Sequence, residues 1–119
     1  LEAVSLATRL HQSLHQELFS LSDNTRLNIT CSIGFCVLPL YPEEPERLEW
    51  PDYFAIVDDC LYAAKSSGKD CWVGLLGEKS RAQHQSHSPS PIEVKYDLPP
   101  TRIQTSLNHL SAVNWNCSE

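Results

Sequence analysis

The sequence lacks most of the motifs that would assign a protein class at once. Its 119 residues contain no Walker-type phosphate loop, no Gly-x-Gly-x-x-Gly turn and no nucleophile elbow, so those enzyme classes have no support. No apolar run approaches the roughly 18 residues of a membrane span, and no signal peptide opens the chain. The sequence therefore predicts no membrane contact from this segment, and its length predicts one domain with a modest core.

Positive charge and paired cysteines are also scarce. Nine basic residues stand against fifteen acidic ones, which gives a net charge of −6 and a pI near 5.3. This balance argues against a nucleic-acid-binding face, which needs clustered Lys and Arg. The five cysteines form no Cys-x-x-Cys pair, so neither a zinc site nor a disulfide framework is predicted. Buried, reduced thiols are typical of a cytoplasmic protein.

Histidines and glutamates give only weak indications of a metal site. His84 and His87 are three residues apart, a spacing that some metal sites use, but no carboxylate or cysteine cluster accompanies them. We interpret these two residues and His11 as solvated histidines. The glutamates of residues 43–46 are interpreted as exposed loop charge. The sequence thus predicts no metal ligand and no catalytic residue within the chain.

Hydrophobic periodicity predicts a helix at the start of the chain. Leucines recur every four residues over residues 1–19: Leu6, Leu10, Leu14 and Leu18. Because residue 1 is a leucine inside this pattern, we expect the chain to be a piece of a longer protein. A polar loop then leads to a near-continuous apolar run over residues 27–40, which is typical of a strand covered on both faces. Gly34 interrupts this run and indicates a bulge or a close backbone approach.

The middle of the chain predicts a second helix between two strands. A loop rich in proline and glutamate over residues 39–51 precedes a helix with apolar positions at steps of three and four: Phe54, Val57, Leu61 and Ala64. Gly68 lies where a left-handed helix C-cap is expected. Residues 71–76 form a short apolar strand. The order strand, helix, strand over residues 27–76 predicts one βαβ unit.

The composition changes after Gly77. Residues 78–91 show no periodicity and are interpreted as a linker. Residues 92–96 alternate like a short strand. Residues 101–115 have near-helical apolar spacing, which predicts either a small docking helix or a weakly ordered tail.

Two segments carry a resemblance to a known family. The first, Thr30, Ser32, Ile33 and Gly34, matches the family pattern Thr-x-Ser-Ile-Gly. The second matches Ala-Asp-x-Ala-Leu-Tyr-x-Ala-Lys-x-x-Gly-Arg-Asn through Asp58, Leu61, Tyr62, Ala64, Lys65 and Gly68. With the helix that precedes them, these segments make residues 1–76 resemble the C-terminal half of a GGDEF domain, the diguanylate cyclase catalytic domain.

The resemblance implies an α/β (α+β) fold. A helix and a βαβ unit in residues 1–77 would form the C-terminal part of a nucleotidyl-cyclase-like, antiparallel-sheet domain. The chain would retain two strands of that sheet. Residues 78–119 would follow as a polar extension.

The resemblance also implies an activity. GGDEF domains work as homodimers that condense two GTP molecules to cyclic di-GMP, a bacterial second messenger, with Mg²⁺ as the usual metal ion. It implies that Lys65 and Lys69 contact the GTP phosphates. The metal-binding carboxylates and the GGDEF motif itself would lie outside this chain, so the chain alone is expected to be inactive.

Four positions depart from the family pattern. Val57 and Cys60 stand where alanine is usual, which changes only the packing of a buried face. Lys69 replaces the usual arginine and Asp70 the usual asparagine. Lysine keeps the charge but loses the planar fork that grips two phosphate oxygens, so weaker phosphate contact is expected. A degenerate, non-catalytic GGDEF domain that binds GTP or a partner stays open as an alternative, as does an unrelated α/β domain.

Overall fold

The structure is a computed structural model that describes residues 2–77 and 88–115. The elements follow one another as α1 (Glu2–Gln16), β1 (Leu18–Ser20), β2 (Arg26–Asn28), β3 (Ile33–Val37), α2 (Trp50–Ser66), β4 (Trp72–Gly77), α3 (Pro91–Tyr96) and β5 (Thr101–Thr105), with a 3₁₀ turn at Leu110–Ala112. The strands form one sheet of two strands and one of three. The fold is therefore mixed α/β, as the sequence predicts. His84, His87 and most of the predicted 78–91 linker lie outside the described residues.

The βαβ unit is confirmed. Strands β3 and β4 pair in parallel, with Ile33 opposite Trp72 and Val37 opposite Leu76. Helix α2 connects them and packs on both. The helix begins at a capping box, in which the Glu49 N–H donates to Asp52 Oδ2 over 2.9 Å, and a proline occupies its first turn.

At Gly34, strand β3 lies very close to α2. A Cβ at this position would overlap the backbone of Cys60 and Leu61. The interruption of the apolar run thus reflects a close backbone approach, which was one of the two alternatives that the sequence indicates. The absence of a side chain at Gly34 lets the helix axis lie directly over the strand.

A third strand completes the sheet and corrects the sequence prediction. Strand β5 pairs antiparallel with β4, with Val73 opposite Thr105 and Gly77 opposite Thr101, so β4 is the central strand. The sequence predicts that two strands of the sheet are retained, whereas the structure has a mixed sheet of three strands. The strand predicted at residues 92–96 is wrong, since this segment is helix α3, and residues 101–105 are a strand rather than the start of a helix or an unordered tail.

Local chemistry explains the helix in place of the strand. Ser90 is the N-cap of α3, Pro91 is the first helical residue, and the Ser90 N–H donates to Glu93 Oε1 over 2.8 Å. The other carboxylate oxygen of Glu93 accepts from the N–H and the hydroxyl of Thr101, both at 2.6 Å. A buried carboxylate thus joins the start of α3 to the start of β5.

The core lies between α2 and the three-stranded sheet. Its largest fully buried side chains come from the loop before α2, from α2, from β4 and the residue that precedes it, and from α3: Leu40, Ile56, Leu75, Ile92, Val73, Cys60 and Cys71. Helix α1 contributes little, because Ala7 is its only buried residue among those described. Leu6 and Leu10 of the predicted leucine stripe are each 51% exposed. No described helix combines the length and the apolar character needed to cross a membrane.

A substitution at Gly34 tests the close approach. We expect Gly34→Ala to lower the free energy of unfolding by about 3 kcal/mol, because the new methyl group meets backbone atoms that cannot rotate away. Gly68→Ala is the comparison, since a Cβ there meets no atom within 4 Å and strains only the backbone, at about 1 kcal/mol. Urea denaturation measures both, and equal losses would contradict the overlap at Gly34.

Candidate functional site

The end of helix α2 is closed by a glycine cap. Helix α2 ends at Ser66, and Gly68 has a φ of 109°, in the region that favours glycine. The Lys69 N–H donates to Ala64 O over 3.1 Å, which is the long bond of a Schellman motif. The left-handed glycine cap that the sequence predicts is therefore present, and it fixes where the chain turns toward β4.

The two lysines of the helix signature lie on either side of this cap. Lys65 is in the last turn of α2 and Lys69 directly follows Gly68, and both are exposed. Within residues 2–77 and 88–115, neither lysine forms an ion pair with a carboxylate.

Lys65 lines a surface groove of about 340 Å³ along α2. The other lining residues are members of the helix signature or their neighbours: Asp58, Asp59, Leu61 and Tyr62. Lys69 does not line this groove. Ser32 and Gly34 of the strand signature are elsewhere, just before and within β3, with Gly34 beneath the backbone of Leu61. The structure therefore brings the two signatures together by backbone packing rather than around one pocket.

Helix α3 borders the groove through a contact that sequence reasoning missed. Lys95 Nζ lies 2.9 Å from Asp59 Oδ2, and the Tyr96 hydroxyl donates to the same oxygen over 2.5 Å. Lys95 and Tyr96 were placed in a strand of the extension, so no sequence signal put them beside α2. The Asp59 carboxylate is therefore already bonded to two side chains of α3.

No group of three possible metal ligands among the described residues lies in this groove. Mg²⁺ prefers carboxylate and water oxygens, but Asp59 is already held by Lys95 and Tyr96. Asp58, the other carboxylate of the groove, is exposed, and neither it nor Asp59 belongs to a group of three possible ligands among the described residues. Residues 2–77 and 88–115 contain one group of three possible metal ligands, and two of its members are imidazoles.

That group consists of His11, His15 and Asp70 and connects α1 with the segment after α2. The Nε2–H of His11 donates to the Asp70 backbone oxygen at 2.9 Å and to Asp70 Oδ1 at 2.8 Å. Nδ1 of His15 lies 3.3 Å from the same carboxylate oxygen. The interpretation of His11 as a solvated histidine is therefore wrong. A signal was present, because two histidines four apart on a helix share one face.

The backbone around Asp70 is unusual. Lys69 and Asp70 have φ angles of 63° and 53°, and they follow Gly68 directly, so three successive residues have positive φ. Non-glycine residues in this region cost conformational energy and persist where surrounding contacts fix them. The hydrogen bonds to His11 are such contacts. They turn the Asp70 carboxylate toward α1.

The thiols near the site are not nucleophiles. Burial raises the pKa of Cys36 to about 11. Burial, with a smaller contribution from the Asp70 carboxylate, raises the pKa of Cys31 and of Cys71. Because the thiolate is the reactive form, these residues are unreactive at neutral pH. Cys71 is buried in the core, as the sequence indicates for a packing cysteine, whereas Cys31 and Cys36 are half-buried.

Stability at alkaline pH is expected to depend on Cys36. Its pKa in the folded protein rises from the ordinary 9.0 to about 11, so the unfolded chain loses the thiol proton at lower pH than the folded chain. The contribution of the Cys36 thiol to the free energy of unfolding is therefore complete below about pH 9 and is lost as the pH rises toward about 11. We expect the urea concentration at the unfolding midpoint to fall between about pH 8 and about pH 10.5, and to fall further in the wild-type protein than in Cys36→Ala. Equal pH slopes would contradict the raised pKa.

Comparisons with known proteins give no relative for this chain. No model of a protein family matches it, and neither a curated protein nor a solved structure matches it. The functional conclusion therefore rests on the residues at the end of α2 and on their geometry.

Proposed function

We propose that the chain is the C-terminal part of a GGDEF-type diguanylate cyclase domain, and that Lys65 and Lys69 hold the phosphates of GTP. One observation carries the proposal. The two signature lysines flank a glycine-capped helix end, both exposed and without an ion pair in the described part of the chain. The parent domain would join two GTP molecules into cyclic di-GMP, and this segment would supply cationic contacts to the phosphates.

The packing of the two signatures supports the proposal. Gly34 belongs to the strand signature and Leu61 to the helix signature, and a Cβ on the first would overlap the backbone of the second. Segments that match one family at two separate places are thus in direct contact within one βαβ unit.

Electrostatics explain why lysines are needed at this position. The C-terminal end of a helix carries partial negative charge on its last carbonyl groups, which disfavours a phosphate. Here Ser67 N–H donates to Ala63 O at 2.9 Å and Lys69 N–H to Ala64 O at 3.1 Å, so two of these carbonyls are covered. The ammonium groups of Lys65 and Lys69 would then make the local potential favourable for an anion.

Asp70 is the residue that most opposes an anion at this end of the helix. Its carboxylate is bonded to His11 and lies next to His15, on the side of α1. The charge that replaces the usual asparagine is therefore engaged by α1, which supports phosphate binding by Lys69.

A second candidate is a GGDEF-type domain that binds GTP without catalysis. Lys69 favours it, because a lysine in place of arginine offers a point charge instead of a fork that binds two oxygens. Both candidates require GTP binding at Lys65 and Lys69. They differ only in the formation of product.

Measurements of GTP binding to this chain test the requirement that both candidates share. We expect Lys65→Ala and Lys69→Ala each to weaken binding of GTP about tenfold, because each removes a charge-assisted contact to phosphate. Lys69→Arg should strengthen binding, since it restores the planar fork. Arg26→Ala in β2 is the control, because it removes the same charge from an exposed site on the other sheet. Titration calorimetry measures all four, and an equal loss in Arg26→Ala would contradict a specific phosphate site.

Product formation separates the two candidates. The full-length protein that contains this chain is expected to form cyclic di-GMP from GTP and Mg²⁺, and Lys65→Ala in that protein should lower the rate about tenfold. Chromatography of the reaction mixture measures the product. GTP binding without product would select the non-catalytic candidate, and product formation by residues 1–119 alone would contradict the placement of the metal ligands outside the chain.

A further inference from the structure

We infer that His11, His15 and Asp70 form a binding site for a divalent transition-metal ion of the zinc type, which links α1 to the segment after α2. The site lies outside the GTP-binding proposal and does not depend on it. Its ligands differ in chemistry from those of the Mg²⁺ that the family resemblance implies.

The donor set identifies the class of metal. Two imidazole nitrogens and one carboxylate oxygen suit Zn²⁺ and related ions, whereas Mg²⁺ prefers oxygen ligands and keeps several waters. Three protein ligands with an open fourth position are typical of zinc sites that also hold water. The combination of His11, His15 and Asp70 supplies these three ligands.

The distances between the ligand atoms fit such an ion. Zinc bonds of about 2.0–2.2 Å place neighbouring ligand atoms of a tetrahedral site about 3.3 Å apart. Nδ1 of His15 is 3.3 Å and Nε2 of His11 is 2.8 Å from Asp70 Oδ1, and all three ligand atoms lie within 4.8 Å of one another. Small side-chain rotations are therefore sufficient to accommodate the ion.

The backbone holds the ligands in place before the ion binds. His11 and His15 are four apart on α1, so both project from one face of the helix. Their rings are stacked at an interplanar angle of 29°, with centroids 5.9 Å apart. Asp70 follows the glycine cap of α2 and has a φ of 53°. Two separate elements thus converge on one point.

The three side chains of the group differ in their exposure to solvent. The side chain of His11 is 16% exposed, that of Asp70 35% and that of His15 54%. An ion can therefore enter from the side of His15, and solvent can fill its remaining coordination positions. His15 can also be replaced without disturbing the core.

Metal binding replaces the hydrogen bonds that the group makes by itself. His11 Nε2 carries the proton that it donates to the two Asp70 oxygens. To coordinate an ion through Nε2, the ring must carry its proton on Nδ1 instead. The bonds from His11 to Asp70 would then be exchanged for bonds from both residues to the ion, while the ring remains neutral.

A bound ion would hold α1 more firmly against the rest of the protein. Among its described residues only Ala7 is buried, and Leu6 and Leu10 are half exposed, so apolar packing holds this helix weakly. An ion shared between α1 and Asp70 would add a link that the hydrophobic contacts do not supply. Because the ion binds only the folded arrangement, it would stabilise the protein by mass action.

Zinc titration of the 119-residue chain tests the site. We expect one Zn²⁺ per chain by titration calorimetry, a higher melting temperature with Zn²⁺, and no such effect of Mg²⁺ at equal concentration. His15→Ala and Asp70→Asn should each weaken Zn²⁺ binding at least about tenfold. Circular dichroism of each variant verifies that it is folded.

Two control variants locate the ion. His109→Ala removes a histidine that precedes the 3₁₀ turn, and the double variant His84→Ala, His87→Ala removes the paired histidines of the 78–91 segment. Both should bind Zn²⁺ like the wild-type protein. The inference is overturned if the chain binds no Zn²⁺, if His15→Ala weakens binding less than tenfold, or if either control weakens it as much as His15→Ala.

Discussion

The contact between Gly34 and the backbone of Leu61 is the constraint on which the rest of the molecule depends. A strand can lie this close to a helix only where it has no side chain, and here the contact fixes α2 over the parallel pair β3 and β4. The position of α2 in turn determines where its C-terminal end lies. The cap at Gly68, Lys65, and the turn that carries Lys69 and Asp70 all follow from that placement.

The turn after α2 separates two opposite charges that are adjacent in sequence. Positive φ angles at Lys69 and Asp70 leave Lys69 exposed, while Asp70 bonds to His11 of α1. Without this turn, the carboxylate would remain close to the lysine and would compete with any anion for it. The strained backbone therefore serves the phosphate proposal and the metal inference alike, because it assigns each charge to a different partner.

Local signals explain what the sequence could predict. The βαβ unit and the cap at Gly68 follow from apolar periodicity and from one glycine at a helix end, which act over a few residues. The alternation of apolar and polar residues over residues 92–96 predicts a strand. The capping box of Ser90 and Glu93, with Pro91 at the first helical position, favours a helix instead and prevails. The contact of His11 with Asp70 joins residues 59 apart, and no local pattern specifies such a pair.

Residues 88–115 belong physically to the βαβ unit. Strand β5 covers the side of β4 that would otherwise be an open edge, and such edges pair with other chains. Glu93 ties the start of β5 to α3, and Asp59 ties α3 to α2 beside the groove that Lys65 lines. Two hydrogen-bonded carboxylates thus join β5 to α3 and α3 to α2. Residues 88–115 and helix α2 are accordingly parts of one structural unit, although the sequence pattern divides the chain at Gly77.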